Sequence, residues 1–134
     1  MRQARSVNVD TLTTIKYAVG LENASVTVDN VPLVPLLKAG GVTFVNRAKS
    51  GWFVPDYTAK NFSVEVINSG GIPLVQVGNL PQTLAPGSSQ NATLMVWGAV
   101  PRPSPYPIQI RISYSTIDGE VCSKDCGIID VMVV

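Results

Sequence analysis

Reactive side chains are few in this chain, and their types narrow the chemistry at once. Histidine is absent, which removes the usual general base, the commonest metal ligand and the one side chain that titrates near neutrality. Ser-His and Cys-His nucleophile pairs therefore cannot form within one chain. Carboxylates remain. Asp56, Asp118, Glu120 and Asp125 could pair as acid and base, but all four fall in turn-like or polar segments where such groups are ordinarily just solvated. Asp118, Glu120 and Asp125 also offer hard oxygen ligands for calcium, at a spacing that matches no EF-hand loop. Cys122 and Cys126 frame Ser-Lys-Asp. A zinc site needs about four nitrogen or sulfur ligands, and a redox pair ordinarily reads Cys-x-x-Cys beside a βαβ unit. The pair is read as a local disulfide pinning the tip of a hairpin, with two thiols in a loop as the alternative. Neither catalysis, nor a metal, nor a cofactor is expected.

Two further sets of residues bear on partners. Asn23-Ala-Ser, Asn61-Phe-Ser and Asn91-Ala-Thr are N-glycosylation triplets without a central proline, so Asn23, Asn61 and Asn91 are candidate acceptors. Together with a disulfide they point to an extracellular, cell-surface setting. Trp52, Phe53 and Tyr57 crowd into six residues and, with Trp97, could stack on sugar rings; such clusters also serve as the plug of a sandwich. Arg2 and Arg5 are not followed by an apolar run, so this stretch does not read as a signal peptide. No segment approaches the roughly 18 apolar residues of a membrane span, so no membrane insertion is expected.

These residues need a scaffold, and the composition supplies one. A chain of 134 residues with 46% hydrophobic content makes one domain with a true core. Only 14% of residues are charged, against roughly 25% in ordinary globular chains. Such a surface must be covered by small polar residues or packed against neighbours. The net charge of +1 leaves no electrostatic footprint for nucleic acid.

Period-two alternation runs through residues 61–115. Val64 and Val66, then Ala92, Leu94 and Val96, then Ile108, Ile110, Ile112 and Tyr114 each mark a strand with one buried face. Asn68-Ser-Gly-Gly, Ala85-Pro-Gly and Asp118-Gly119 are turns, Gly87 taking the positive-φ place of a type II turn. Gly40-Gly41 is read as a turn before a strand at 42–46. Pro32 and Pro35 limit residues 31–37 to an edge or polyproline-like crossing, and the prolines at 101, 103, 105 and 107 form a stiff connection. Eight or nine strands and no helix are expected: an all-β, Ig-like antiparallel β-sandwich at 21–134 after an extended segment at 1–20.

The pieces FSVEVINSGG, TLAPGSSQNATLMV and PYPIQIRISY resemble the CARDB-like immunoglobulin modules of prokaryotic surface proteins. The resemblance covers residues 61–115 and implies the fold more than any task. By plan, a β-prone leading segment before an Ig-like body is similar to the thread and bundling-pilus subunits of archaea and to chaperone-usher pilins. That plan implies donor-strand complementation, in which one subunit's segment fills the open sandwich of the next. The donor candidates are Val7, Val9, Leu12, Ile15, Tyr17 and Val19; the same residues could equally form the first strand of their own body. The expected function is thus a homopolymeric surface filament, with other cells or surface glycans as further partners. The alternatives are a carbohydrate-binding or adhesion module and a viral coat protein.

Overall fold

The computed structural model describes residues 18–49, 51, 56–116 and 119–134. Ten strands form among them: β1 (Val19–Leu21), β2 (Ser25–Asn30), β3 (Leu37–Asn46), β4 (Ala59–Asn68), β5 (Leu74–Gly78), β6 (Thr83–Leu84), β7 (Ser89–Trp97), β8 (Tyr106–Ser115), β9 (Val121–Asp125) and β10 (Ile129–Val133). No helix occurs among the described residues. Alternation dictates these strands. In β8 every second residue from Tyr106 to Tyr114 is buried, while those between reach solvent.

The hydrogen-bonded path runs β5-β7-β3-β2-β10-β8-β4-β6, with β1 added to β3 and β9 to β8. It folds over at β2, giving two layers around one core, an Ig-like β-sandwich. Ser25–Val28 of β2 pair with β10, whereas Asp29 and Asn30 pair with β3. The first long strand thereby belongs to both layers. Its pairing with β10 is parallel, so the sandwich is not purely antiparallel as the alternation suggested. Both layers send side chains into one cluster that includes Val28, Phe44, Leu94, Ile108, Ile110, Ile112 and Val131.

Strand directions define two ends. Residues 31–36, 69–73 and 98–105 and the C-terminal Val134 lie at one, the Leu33 end. The loop after β3, the turn 85–88 and the start of the described chain at Ala18 lie at the other, the Ala18 end. Gly40 and Gly41 do not turn the chain but continue β3. A Cβ on Gly40 would lie 2.4 Å from the Thr27 carbonyl oxygen, so glycine there admits the close crossing of β2. Gly87 does take a positive φ of 79° in the turn after Leu84, as its Pro-Gly context predicts.

Asn46 closes the Ala18 end. It is 1% exposed, and its Nδ2 donates to the carbonyls of Tyr57 and Leu84, each at 3.0 Å. Its Oδ1 accepts from the Ala48 N–H, and its own N–H and C=O bond Ser88 and Gly87. One side chain thus ties both ends of the β3–β4 connection to the end of β6, every polar atom satisfied.

Candidate strand-acceptor edge

β4 lies beside β8 along most of its length, but its other flank is treated differently. β6 covers it only at Ala59 and Lys60. From Asn61 to Asn68 the outer edge of β4 meets no strand among the described residues. Phe62, Val64 and Val66 point inward yet are only partly buried, and they pack against the core from its rim. Across the opening, Val75 of β5 is buried while Val77 is partly exposed. Phe62 stands edge-on to Phe44 at 5.8 Å and tilted over Tyr114 at 5.9 Å, so the floor of the opening is aromatic. An uncovered ladder beside a row of half-covered apolar side chains is what an added strand can satisfy. Two irregularities of register, between Lys60 and Ser63 and between Val66 and Asn68, bracket the regular middle of this edge. Asn61 sits at the first of them with φ at 56°.

A second feature lies at the Leu33 end. Leu33 is 101% exposed, Leu36 78%, Val100 67% and Leu74 46%. Of the nine large apolar residues exposed among those described, only Val121 and Ile128 lie elsewhere. Leu33 and Leu36 also hold positive φ, 65° and 68°, a backbone state that costs a non-glycine residue on the order of 1 kcal/mol. The loop is nonetheless fixed: Val31 N–H donates to Leu37 C=O, and Gly98 N–H to Leu36 C=O. Loop 31–36 is therefore a built hairpin tip rather than the polyproline-like crossing its prolines suggested.

The expected site residues are dispersed. Val7, Val9, Leu12, Ile15 and Tyr17 lie outside the described residues. Val19 is 1% exposed and pairs with Asn46 of its own chain, so it belongs to the body and is struck from the donor set; the body begins before residue 21. Cys122 and Cys126 are not bonded to each other, which corrects the expected disulfide. Cys122 lies within β9, opposite Tyr114, and Cys126 extends that ladder by donating its N–H to Ile110. Four residues of extended chain separate Cα atoms by about 13 Å, too far for a bond that needs less than about 7 Å. Both thiols are buried, and burial pushes the Cys126 thiol up from its ordinary pKa.

Asn61 and Asn91 are exposed, whereas Asn23 is half-buried and its Oδ1 accepts from the Thr43 N–H at 2.8 Å. Asn91 Oδ1 accepts from the Thr43 hydroxyl. Tyr57 is buried near Asn46, while Trp97 lies at the Leu33 end in a cross-strand row with Leu37 and Leu74. Tyr57 and Trp97 thus form no common platform; Trp52 and Phe53 lie outside the described residues. Asp56 accepts from the Thr58 N–H and hydroxyl, which hold its carboxyl below the usual range. Asp125 binds Arg111 Nε at 2.6 Å, and Glu65 stands 3.7 Å from the same guanidinium. Asp118 lies outside the described residues, and among those described no three metal-ligating side chains gather.

No family model matches the chain, and no curated protein matches it. Solved structures that it resembles include a PapD-like (ASH) domain of human CEP192, at 9% identity and a TM-score of 0.49, covering 87% of this chain and 85% of that one. The secreted serine protease VesC of Vibrio cholerae gives 13% and 0.43, over 94% of this chain and 25% of that one. The VesB protease of Vibrio cholerae gives 16% and 0.43, over 92% and 34%. Likenesses this distant say nothing about activity.

Proposed function

We propose that this chain is a structural subunit of an extracellular surface filament that polymerises by strand exchange. In this reading residues 7–17 of one copy add to the outer edge of β4 in the next. The observation that supports it is the open edge itself, eight residues without an outer neighbour, regular from Ser63 to Val66, beside the half-covered Phe62, Val64 and Val66. The body can receive a strand, and the sequence ahead of Ala18 can supply one. Main-chain hydrogen bonds would give affinity and alternate side chains register. A head-to-tail contact does not close on itself and so builds a fibre. The low charge content suits a chain packed against copies of itself.

Two proline substitutions, Val9→Pro with Thr13→Pro in the full chain, remove ladder donors from the arm and leave the body intact. The unaltered chain should form fibres visible by negative stain that resist boiling detergent. The double variant should remain monomeric with the circular dichroism spectrum of the native sheet. Fibres from the double variant equal in number and length to those of the native chain would refute the exchange. Closed shells in place of fibres would favour the coat-protein reading.

A further inference from the structure

The strand-exchange reading accounts for the β4 edge but leaves the apolar Leu33 end unexplained. We infer that this end, carrying Leu33, Leu36, Leu74 and Val100, is the seat for the Ala18 end of a second copy, the copy that donates its arm. The inference rests on the exchange reading and adds to it a direction and a second contact.

Length carries the first step. Residues 7–17 are eleven, and the open edge from Asn61 to Asn68 is eight. An eight-residue strand taken from the arm leaves three residues as a tether, reaching about 10 Å at 3.4 Å each. The root of the arm is fixed, because the Arg47 N–H donates to the Ala18 carbonyl and β1 follows at once on β3. A donor body must therefore sit with its Ala18 end almost touching the mouth of the acceptor opening.

The choice of mouth carries the second step. At the Ala18 end the β4 edge is already occupied, since β6 pairs with Ala59 and Lys60. At the Leu33 end the edge runs out freely past Ile67, which is 40% exposed. The tether therefore enters beside Asn68, and the Ala18 end of the donor rests on the acceptor's exposed leucines. Thr14 then lies near Asn68 and Val7 near Asn61, with residues 15–17 as the tether, so the donated strand runs parallel to β4.

The same geometry argues against insertion into the chain's own edge. β1 lies on the β2 flank of β3, whereas the open edge is the far side of β4 beyond β8. The free mouth of the chain's own edge, beside Asn68, lies about 27 Å from the Ala18 end, eight residues of strand away and beyond the tether, and the near mouth is filled by β6. Alternation fits the opening as well. Within residues 7–14, Val7, Val9, Thr11 and Thr13 share one face, and Asn8, Asp10 and Thr14 the other, with Leu12 the exception.

A photoreactive side chain placed singly at the exposed positions Ser63, Ile67 and Leu36 of the full chain tests both steps. Mixed heavy- and light-isotope subunits distinguish capture between copies from capture within one. Ile67 should capture residues 12–14 of another copy, Ser63 residues 7–11, and Leu36 the region of Arg47 or the turn 85–88 of another copy. Reversed order on β4, or a Leu36 position that captures nothing, overturns the seat and the polarity while the exchange stands. Capture of the arm by neither β4 position, or only within one copy, overturns the exchange itself. As a companion, Leu33→Lys with Leu36→Lys should abolish long fibres while Ile67 still captures the arm; fibres of native length would count against the seat.

Discussion

β4 and β8 are neighbours of equal length, ten residues each, with the same alternation of apolar and polar side chains. Their inward rows fare differently. Ile108, Ile110 and Ile112 are at most 1% exposed, while Phe62, Val64 and Val66 stay open to solvent. The difference is one of company. β8 has β4 on one flank and β9 and β10 on the other, and β4 has only the two residues of β6 opposite β8. An apolar pattern states which face seeks burial, and the neighbouring strand decides whether it is buried.

This contrast can be tested by paired substitutions. Ile110→Ala should destabilise the isolated subunit by about 2–5 kcal/mol, since it empties a filled site. Val64→Ala should cost about 1 kcal/mol in the same subunit, because part of that side chain is already wet. Denaturant unfolding of both variants gives the two numbers. In the fibre the gap should narrow, with Val64→Ala now costing more because the added strand covers it. An equal cost for Val64→Ala in both states would mean that nothing covers β4 on assembly.

The smallest effect concerns β9, the strand that shields β8. Burial raises the Cys126 thiol pKa, so the folded state favours the neutral thiol. Its contribution to stability is complete below the unfolded-state thiol pKa of about 8.5 and declines as pH rises through the folded value. Alkylation of Cys126 in the native subunit should accordingly be slow at pH 8 and accelerate only well above the range of an exposed cysteine. Rapid alkylation at pH 8 would show that β9 covers this part of β8 loosely.

Much of the fold could be read from the sequence because a strand with one wet face advertises itself. β7 and β8 lie within a residue or two of where their alternation placed them. β9 was hidden, since Val121–Asp125 is short and mostly polar, and Cys122 drew attention to a bridge rather than to a strand. β3 was shortened because Gly40-Gly41 resembles a turn, whereas its reason is the approach of Thr27 from another strand. The candidate site was less legible. The alternation of Val64 and Val66 marked the strand, but no residue type announces a missing neighbour. Asn46 gave no signal either, as four of its five hydrogen bonds go to Tyr57, Leu84, Gly87 and Ser88, eleven or more residues away in sequence. The exposed leucines were masked by Pro32 and Pro35, which suggested extended chain where a hairpin tip stands.

The parallel pairing of β2 with β10 has a mechanical consequence. Tension applied at Ala18 and directed out of that end pulls β1 and β2 along their own axes. The rungs from Ser25 to Val28 against β10 then share the load side by side, in shear, instead of opening one after another as a zip. The same short segment is gripped by β3 at Asp29 and Asn30, so a tug on the arm is spread over both layers of the body before any part of the core must part.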